Sequence, residues 1–182
     1  MKNFLLGIIF TFLALIAIGV FLMTQGYVNL RADQAPSALE TKVAMAAVDA
    51  WAARFAPSQP NPQAPTEENL AAGARIFLNH CAGCHGLPAN AISTFPKSFY
   101  PPVPEFFKDA PDMAENENFF IIQHGIRFTG MPAWNRTLNE NEIWQVVTFL
   151  AHINKLPPAA QKELQSAADR KSTRLNSSHG II

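Results

Sequence analysis

The sequence lacks an excess of charge of either sign. Its 182 residues include 14 Lys and Arg against 14 Asp and Glu, so the formal net charge is zero. Without a basic surface we expect no nucleic-acid partner, and without an acidic tail we expect no scavenging of cations. A chain of this length holds one ordinary domain with accessory segments rather than two full cores.

Cysteine is also scarce, and no segment shows the alternation typical of a strand. The two cysteines are too few for a disulfide framework, and no second Cys or His pair at finger spacing completes a zinc site with them.

Since apolar and polar residues do not alternate, we predict an all-α fold. There is no Ser/His/Asp set, phosphate loop or carboxylate pair with a shared task, so we expect neither an enzyme nor a small-molecule substrate.

One long apolar run is present, at the N-terminus. No charged side chain lies between Lys2 and Arg31, and about 20 apolar residues at about 1.5 Å each cover a hydrocarbon core of about 30 Å. Residues 24–27 offer no small-x-small cleavage site, so we expect residues 1–24 to be a retained transmembrane anchor, with a signal sequence as the alternative. In either case the rest of the chain is exported, and Lys2 fits a cytoplasmic N-terminus.

Residues 25–65 are expected to hold an amphipathic helix and a linker. Ser37 and Glu40 form a capping-box pattern, after which apolar residues recur at helical spacing, at Leu39, Val43, Ala47, Trp51 and Phe55. This helix either packs on the globular domain or lies on the lipid surface, and its few basic residues favour packing. Four prolines within residues 57–65 predict a linker with neither helix nor central strand.

The globular domain is predicted over residues 66–168. With Thr66 as an N-cap, apolar spacing predicts helices at about 67–80, 115–124 and 138–154, and a further short helix after Lys155. The connection between the first two predicted helices is rich in proline, which predicts a rigid loop free of helix. Its prolines are Pro88, Pro96, Pro101, Pro102 and Pro104.

The C-terminal residues 169–182 are predicted not to be native. Residues 169–179 read as the in-frame translation of a common sequencing-library adapter, and eleven consecutive matches are hard to obtain by chance. The predicted domain therefore ends at residue 168.

The strongest motif is Cys81-Ala82-Gly83-Cys84-His85. Two thiols three positions apart can form thioethers with the two vinyl groups of one haem, and the following histidine is placed to ligate the iron. A thioredoxin-like dithiol is an alternative, but no βαβ pattern surrounds the pair. We therefore predict one covalent haem c, attached through Cys81 and Cys84, with His85 as a metal ligand. The proline-rich loop over residues 88–104 is expected to wrap the edge of this haem.

The sixth position of the iron needs a ligand from elsewhere in the chain. The candidates are Met113, His124, Met131 and His152. We favour Met131, because Gly130 allows close backbone approach and Pro132 stiffens the loop. A thioether favours ferrous iron and raises the reduction potential, whereas His124 would make a bis-histidine haem of lower potential.

These motifs resemble those of class I cytochromes c, in particular the short bacterial domains similar to the cytochrome subunits of cbb3-type oxidases. The resemblance covers about residues 66–156 and includes residues 118–126, which are similar to the helix before the methionine loop in that group. It implies a class I cytochrome c-like helical domain around one covalent haem, here preceded by a transmembrane helix. It also implies that Gly73 permits a close helix crossing with Phe77 and Trp144 near it. The positions that match the terminal helix are Ile143, Trp144, Val147 and Leu150.

Two further residues are candidates for holding the haem. Arg127 and Trp134 carry hydrogen-bond donors beside the predicted ligand loop. They could bond the haem propionates, or they could be a surface arginine and a core tryptophan. The sequence leaves both alternatives open.

The function that we expect is one-electron transfer by the haem. The chain would be a single-pass protein of the cytoplasmic membrane, with its haem domain in the periplasm, and it would relay electrons between respiratory redox proteins. One alternative is a fixed cytochrome subunit of a membrane dehydrogenase or oxidase. Another is a haem enzyme or gas sensor with an open sixth position, against which the predicted Met131 ligand argues.

Overall fold

The computed structural model describes residues 1–88 and 95–178, without the side chains of residues 95, 96 and 170–178. The chain divides into two compact units, Met1–Arg31 and Ala32–Ile182. Throughout the described residues the regular elements are helices and no strand occurs. The prediction of an all-α fold is therefore confirmed.

The first unit consists of one long helix, α1, which spans Lys2–Thr24. Its 23 residues extend about 35 Å, and its apolar side chains are exposed along the whole length. The helix is long and apolar enough to cross a membrane, although a signal sequence would meet the same criterion. It fits the predicted membrane anchor.

Helix α2, Ala38–Phe55, belongs to the second unit and packs on the helix α5, Glu115–His124. Ser37 caps α2 as predicted, since its hydroxyl accepts from the Glu40 backbone N–H at 3.2 Å. On the packed side, the Trp51 and Phe120 ring centroids lie 4.7 Å apart. Of the two alternatives for this helix, packing on the domain is therefore the one observed.

The centre of the second unit is a close crossing of α3, Glu67–His80, with α6, Glu140–Ala151. A Cβ atom added at Gly73 would meet the Gln145 carbonyl oxygen and would lie 2.6 Å from the Phe149 Cβ. The Phe77 ring is fully buried, with its centroid 5.4 Å from that of Phe149. The implied crossing at Gly73 is thus confirmed.

Trp144, which the resemblance places near this crossing, has its aromatic partner on α5. Its ring stacks on Phe119 of α5, with centroids 4.0 Å apart and planes at 16°. Trp144 and Phe77 are both in the core, but Phe149 is the aromatic residue of α6 that faces Phe77. Two residues of α6 in adjacent turns thus make aromatic contacts with different helices, Trp144 with α5 and Phe149 with α3.

The last helix, α7, spans Pro158–Ser178 and packs on α3. Ala160 and Leu164 are buried, and Glu163 makes an ion pair with Arg75 at 3.0 Å. The helix that the sequence predicts after residue 155 is therefore present and much longer than expected. Its backbone continues beyond residue 168, into the segment 169–182 that is predicted not to be native. The side chains of residues 170–178 and the whole of residues 179–182 lie outside the described part of the chain. Their non-native origin stays a prediction.

The proline-rich residues 57–65 pack against the domain through side-chain hydrogen bonds. The Asn61 side-chain amide donates to the Thr148 hydroxyl at 2.8 Å and to the Glu115 carboxylate. The Asn116 amide donates to the Pro57 carbonyl at 2.9 Å. Because Thr148 is buried inside α6, this segment is fixed to the core.

The connection between α3 and α5 contains two short helical segments that the sequence pattern does not predict. One is α4, Ala82–His85, and the other is a 3₁₀ helix at Phe95–Ser98. The expectation of a loop entirely without helix was wrong for Phe95–Ser98. A proline such as Pro96 is compatible with the first turn of a helix, because the N–H it lacks would be unpaired there. Residues 89–94 of the predicted loop lie outside the described residues.

Candidate haem-binding site

The attachment motif lies where α3 ends and α4 begins. Cys81 ends α3, and its carbonyl accepts from the backbone N–H groups of Cys84 at 3.0 Å and His85 at 2.9 Å. This single turn carries both thiols and the imidazole, and both thiols are free and partly exposed. Gly86 then ends α4 with a φ of 82°, which glycine adopts without strain.

The Cys81 thiol is kept protonated by its surroundings. Burial, and in second place the neighbouring Cys84, raises the pKa of the Cys81 thiol to about 12. The thiolate, which is the nucleophile in thiol–disulfide exchange, is therefore disfavoured at Cys81.

The His85 imidazole is held in one orientation by the chain that follows the motif. Its Nδ1 lies 2.9 Å from the Pro104 carbonyl oxygen. A carbonyl can only accept a hydrogen bond, so Nδ1 carries the proton and Nε2 keeps the lone pair that binds a metal. The Phe106 ring stacks on the imidazole, with centroids 4.4 Å apart and planes at 9°. Burial lowers the pKa of His85, which favours the neutral form that ligates metals.

The methionine loop, residues 125–134, is closed by its own backbone. The Met131 carbonyl accepts from the Ile126 N–H at 3.1 Å, and the Met131 N–H donates to the Thr129 hydroxyl at 3.1 Å. Gly125 has a φ of 66°, and a Cβ there would lie 2.6 Å from the Pro132 carbonyl carbon. Met131 is partly buried against the hydrophobic core.

The attachment motif and the methionine loop are connected by contacts on two sides. The His80 ring, next to Cys81, meets the Trp134 ring edge-on at a centroid distance of 5.3 Å. On the other side, the Phe99 ring lies so close to Gly130 that an added Cβ would be 2.5 Å from its Cδ1. Residues 99–106 thus contact both the methionine loop and, through Pro104 and Phe106, the imidazole of His85.

The remaining predicted candidates lie in different surroundings. His124 is exposed, and its ring lies 4.6 Å from that of Phe120, the residue on which α2 packs. The His152 Nδ1 lies 2.9 Å from the Thr148 carbonyl oxygen. Arg127 is exposed and Trp134 partly buried, and their bonds to propionates stay predictions.

Three residues of the site were missed from the sequence. Pro104 was predicted in a rigid loop at the haem edge but without its contact to His85, and Phe99 and Phe106 had no predicted role. The signal that could have found them is the run of aromatic and proline residues at 99–107, which is too apolar for a solvated loop.

The donor set fits a covalently attached haem, and the family comparison agrees. Residues 68–150 match the model of the family described as cytochrome c oxidase, cbb3-type, subunit III. No curated protein and no solved structure matches the chain. The matched residues include the whole attachment motif and the methionine loop, so the domain carries a covalent c-type haem and has an electron-transfer role. Residues 68–150 of this chain therefore form a cytochrome c domain of the cbb3 type.

Proposed function

We propose that this protein is a one-electron carrier with His85 and Met131 as the two axial ligands of its haem. It would act on the periplasmic face of the cytoplasmic membrane and relay electrons between respiratory redox proteins. When bound, the haem supplies reversible one-electron exchange at its iron. The observation that carries the proposal is the hydrogen bond from His85 Nδ1 to the Pro104 carbonyl, which reserves Nε2 for the metal.

Met131 is supported as the second ligand by the way its loop is held. Its backbone N–H and carbonyl are both engaged within the loop, and its side chain is partly buried against the core on which Cys81 also packs. A pre-formed loop of this kind presents a side chain without a large entropy cost when the ligand bond forms. His124 is less well placed, because it is exposed at the end of α5 and contacts Phe120.

The proposed side of the membrane follows from two requirements. Haem of the c type is attached outside the cytoplasm, so the domain after residue 31 must be exported. A helix of the length and composition of α1 can remain as an anchor while the chain that follows it is translocated. Lys2 then lies on the cytoplasmic side.

A fixed subunit of a larger complex is the second candidate. The family description names subunit III of a cbb3-type oxidase, which is a member of an assembly. A carrier and a subunit use the same ligands and differ in residence time on the partner. Extraction in a mild detergent distinguishes them, because a subunit co-purifies with the same proteins at fixed stoichiometry and a carrier does not.

The proposed ligands are tested with Met131→Ala and the matched variant His124→Ala. The ferric wild-type protein should show the weak near-infrared sulfur-to-iron band, and the ferrous protein should resist carbon monoxide. Met131→Ala should abolish the band, bind carbon monoxide and lower the reduction potential, whereas His124→Ala should leave all three unchanged. The reverse result would replace Met131 by His124 as ligand. Ready binding of carbon monoxide by the wild-type protein would favour a sensor or an enzyme.

A further inference from the structure

In the connection between α3 and α5, one closed turn places two neighbouring phenylalanine rings on different partners. The Glu105 carbonyl accepts from the Lys108 N–H at 2.8 Å and from the Asp109 N–H at 3.1 Å. The Glu105 carboxylate and the Lys108 ammonium make an ion pair at 2.7 Å across the same turn. The two residues enclosed by these contacts, Phe106 and Phe107, are both partly buried against the hydrophobic core.

The Phe107 ring attaches this turn to the centre of the domain. It meets the Phe77 ring edge-on, with centroids 5.6 Å apart and planes at 85°. Phe77 is fully buried where α3 crosses α6. Phe107 therefore cannot shift without disturbing the packing at that crossing, and the adjacent Phe106 is held on a fixed support.

The Phe106 ring lies face to face with the imidazole of His85, which is only 9% exposed. The hydrogen bond from Nδ1 to the Pro104 carbonyl fixes the tautomer and the direction of that nitrogen. It restricts the tilt of the ring plane less, because carbonyl oxygens accept over a broad range of angles and the χ2 torsion of histidine is broad. A parallel ring with its centroid 4.4 Å away opposes such a tilt.

The plane of an axial imidazole affects the electronic state of a haem iron. In low-spin ferric haem it sets the separation of the iron d orbitals that overlap with the ring, and the distribution of the unpaired electron follows. Groups that contact a ligating histidine tune the metal through the orientation that they impose on it. Such an orientation is maintained only where the supporting side chains are themselves locked by packing, as Phe106 is through Phe107.

We propose that Phe106 is a positioning residue that fixes the plane of the His85 imidazole at the haem iron, while Pro104 fixes the direction of its Nδ1. This inference rests on the proposed function, in which His85 is an axial ligand. A side chain that only filled the core could be replaced here by an aliphatic one of similar bulk. One that opposes the tilt of the imidazole must present a flat face.

The test uses the full-length, haem-loaded protein in detergent, as wild type, Phe106→Leu, Phe106→Tyr and Phe107→Leu. Leucine keeps an apolar side chain but has no flat face, whereas tyrosine keeps the ring. Phe107→Leu is the matched control, since it removes the neighbouring ring from Phe77 and leaves Phe106 in place. The low-temperature electron paramagnetic resonance spectrum of the ferric protein, the sulfur-to-iron band and the thermal midpoint are recorded for each.

Phe106→Leu should shift or broaden the low-field resonance of the low-spin ferric haem, because the imidazole then takes a range of tilts. Its sulfur-to-iron band should remain, since the methionine loop is unchanged. Phe106→Tyr should show the wild-type resonance. Phe107→Leu should lower the thermal midpoint through the loss of core packing and still show the wild-type resonance.

A wild-type resonance in Phe106→Leu would overturn the inference, as would an equal change in Phe107→Leu. Phe106→Met is the second aliphatic variant, and it decides in the same way if the leucine variant does not fold. Absence of a low-spin signal from the ferric wild-type protein would overturn the proposed pair of ligands, and this inference with it.

Discussion

Gly73 is the position at which a single added methyl group should be most damaging. Gly73→Ala places a Cβ against the Gln145 carbonyl oxygen and 2.6 Å from the Phe149 Cβ. Neither atom can rotate away, because one belongs to the backbone of α6 and the other is fixed to it. The two helices must therefore move apart, and the packing around the buried Phe77 ring must loosen.

The expected loss of stability follows from two opposing terms. Overpacking of a rigid core costs about 1–3 kcal/mol, and the upper end applies because the obstructing atoms cannot yield. Replacing glycine by alanine inside a helix recovers about 1 kcal/mol. The net loss is therefore about 2 kcal/mol, which for a unit of this size lowers the thermal midpoint by roughly 4–8 °C.

The assay is thermal unfolding of the haem-loaded protein, followed by circular dichroism of the helices. Gly83→Ala is the matched control, since a Cβ added at this position of α4 meets no atom within 4 Å. It should unfold at the wild-type midpoint or up to about 4 °C above it, because no clash offsets the roughly 1 kcal/mol that alanine gains over glycine in a helix. A Gly73→Ala variant as stable as this control would refute the close crossing of α3 and α6.

Two further predictions concern the haem and the packed linker. Acid–acetone extraction should leave the colour with the protein, because the thioethers to Cys81 and Cys84 survive where ligation alone does not; release of the haem into the solvent would contradict covalent attachment. Asn61→Ala should lower the free energy of unfolding by about 1–2 kcal/mol, measured in denaturant, because it removes hydrogen bonds to Thr148 and Glu115. An unchanged denaturation midpoint would show that the hydrogen bonds of the Asn61 side chain contribute nothing to stability.

Helices α3 and α5 have the bounds that the sequence predicts, because the signals at their ends are local. The Thr66 hydroxyl accepts from the Asn69 N–H at 3.2 Å and begins α3. Gly125, with a φ of 66°, ends α5. Such signals depend on a few neighbouring residues, and spacing alone reveals them. The attachment motif is predictable for the same reason, since its three functional residues share one turn of chain.

Contacts between distant segments could not be predicted in this way. The hydrogen bond from Asn61 to Thr148 joins residues 87 positions apart, and nothing in either local pattern indicates the other. The same holds for the contact of Phe99 with Gly130. Gly130 was expected to help present Met131 by close backbone approach, and the structure shows that the group approaching it is an aromatic ring.

The composition of residues 99–106 can be explained by the two tasks that this segment performs. It must hold the His85 ring and cover Gly130 without forming a helix or strand, since either would use the Pro104 carbonyl in its own hydrogen bonds. Proline has no N–H and a fixed φ, so a proline-rich segment avoids both structures while its carbonyl oxygens stay free to accept. The fixed φ also reduces the entropy lost on ordering the segment. Since one segment contacts both His85 and the methionine loop, the positions of the two proposed ligands depend on the same stretch of chain.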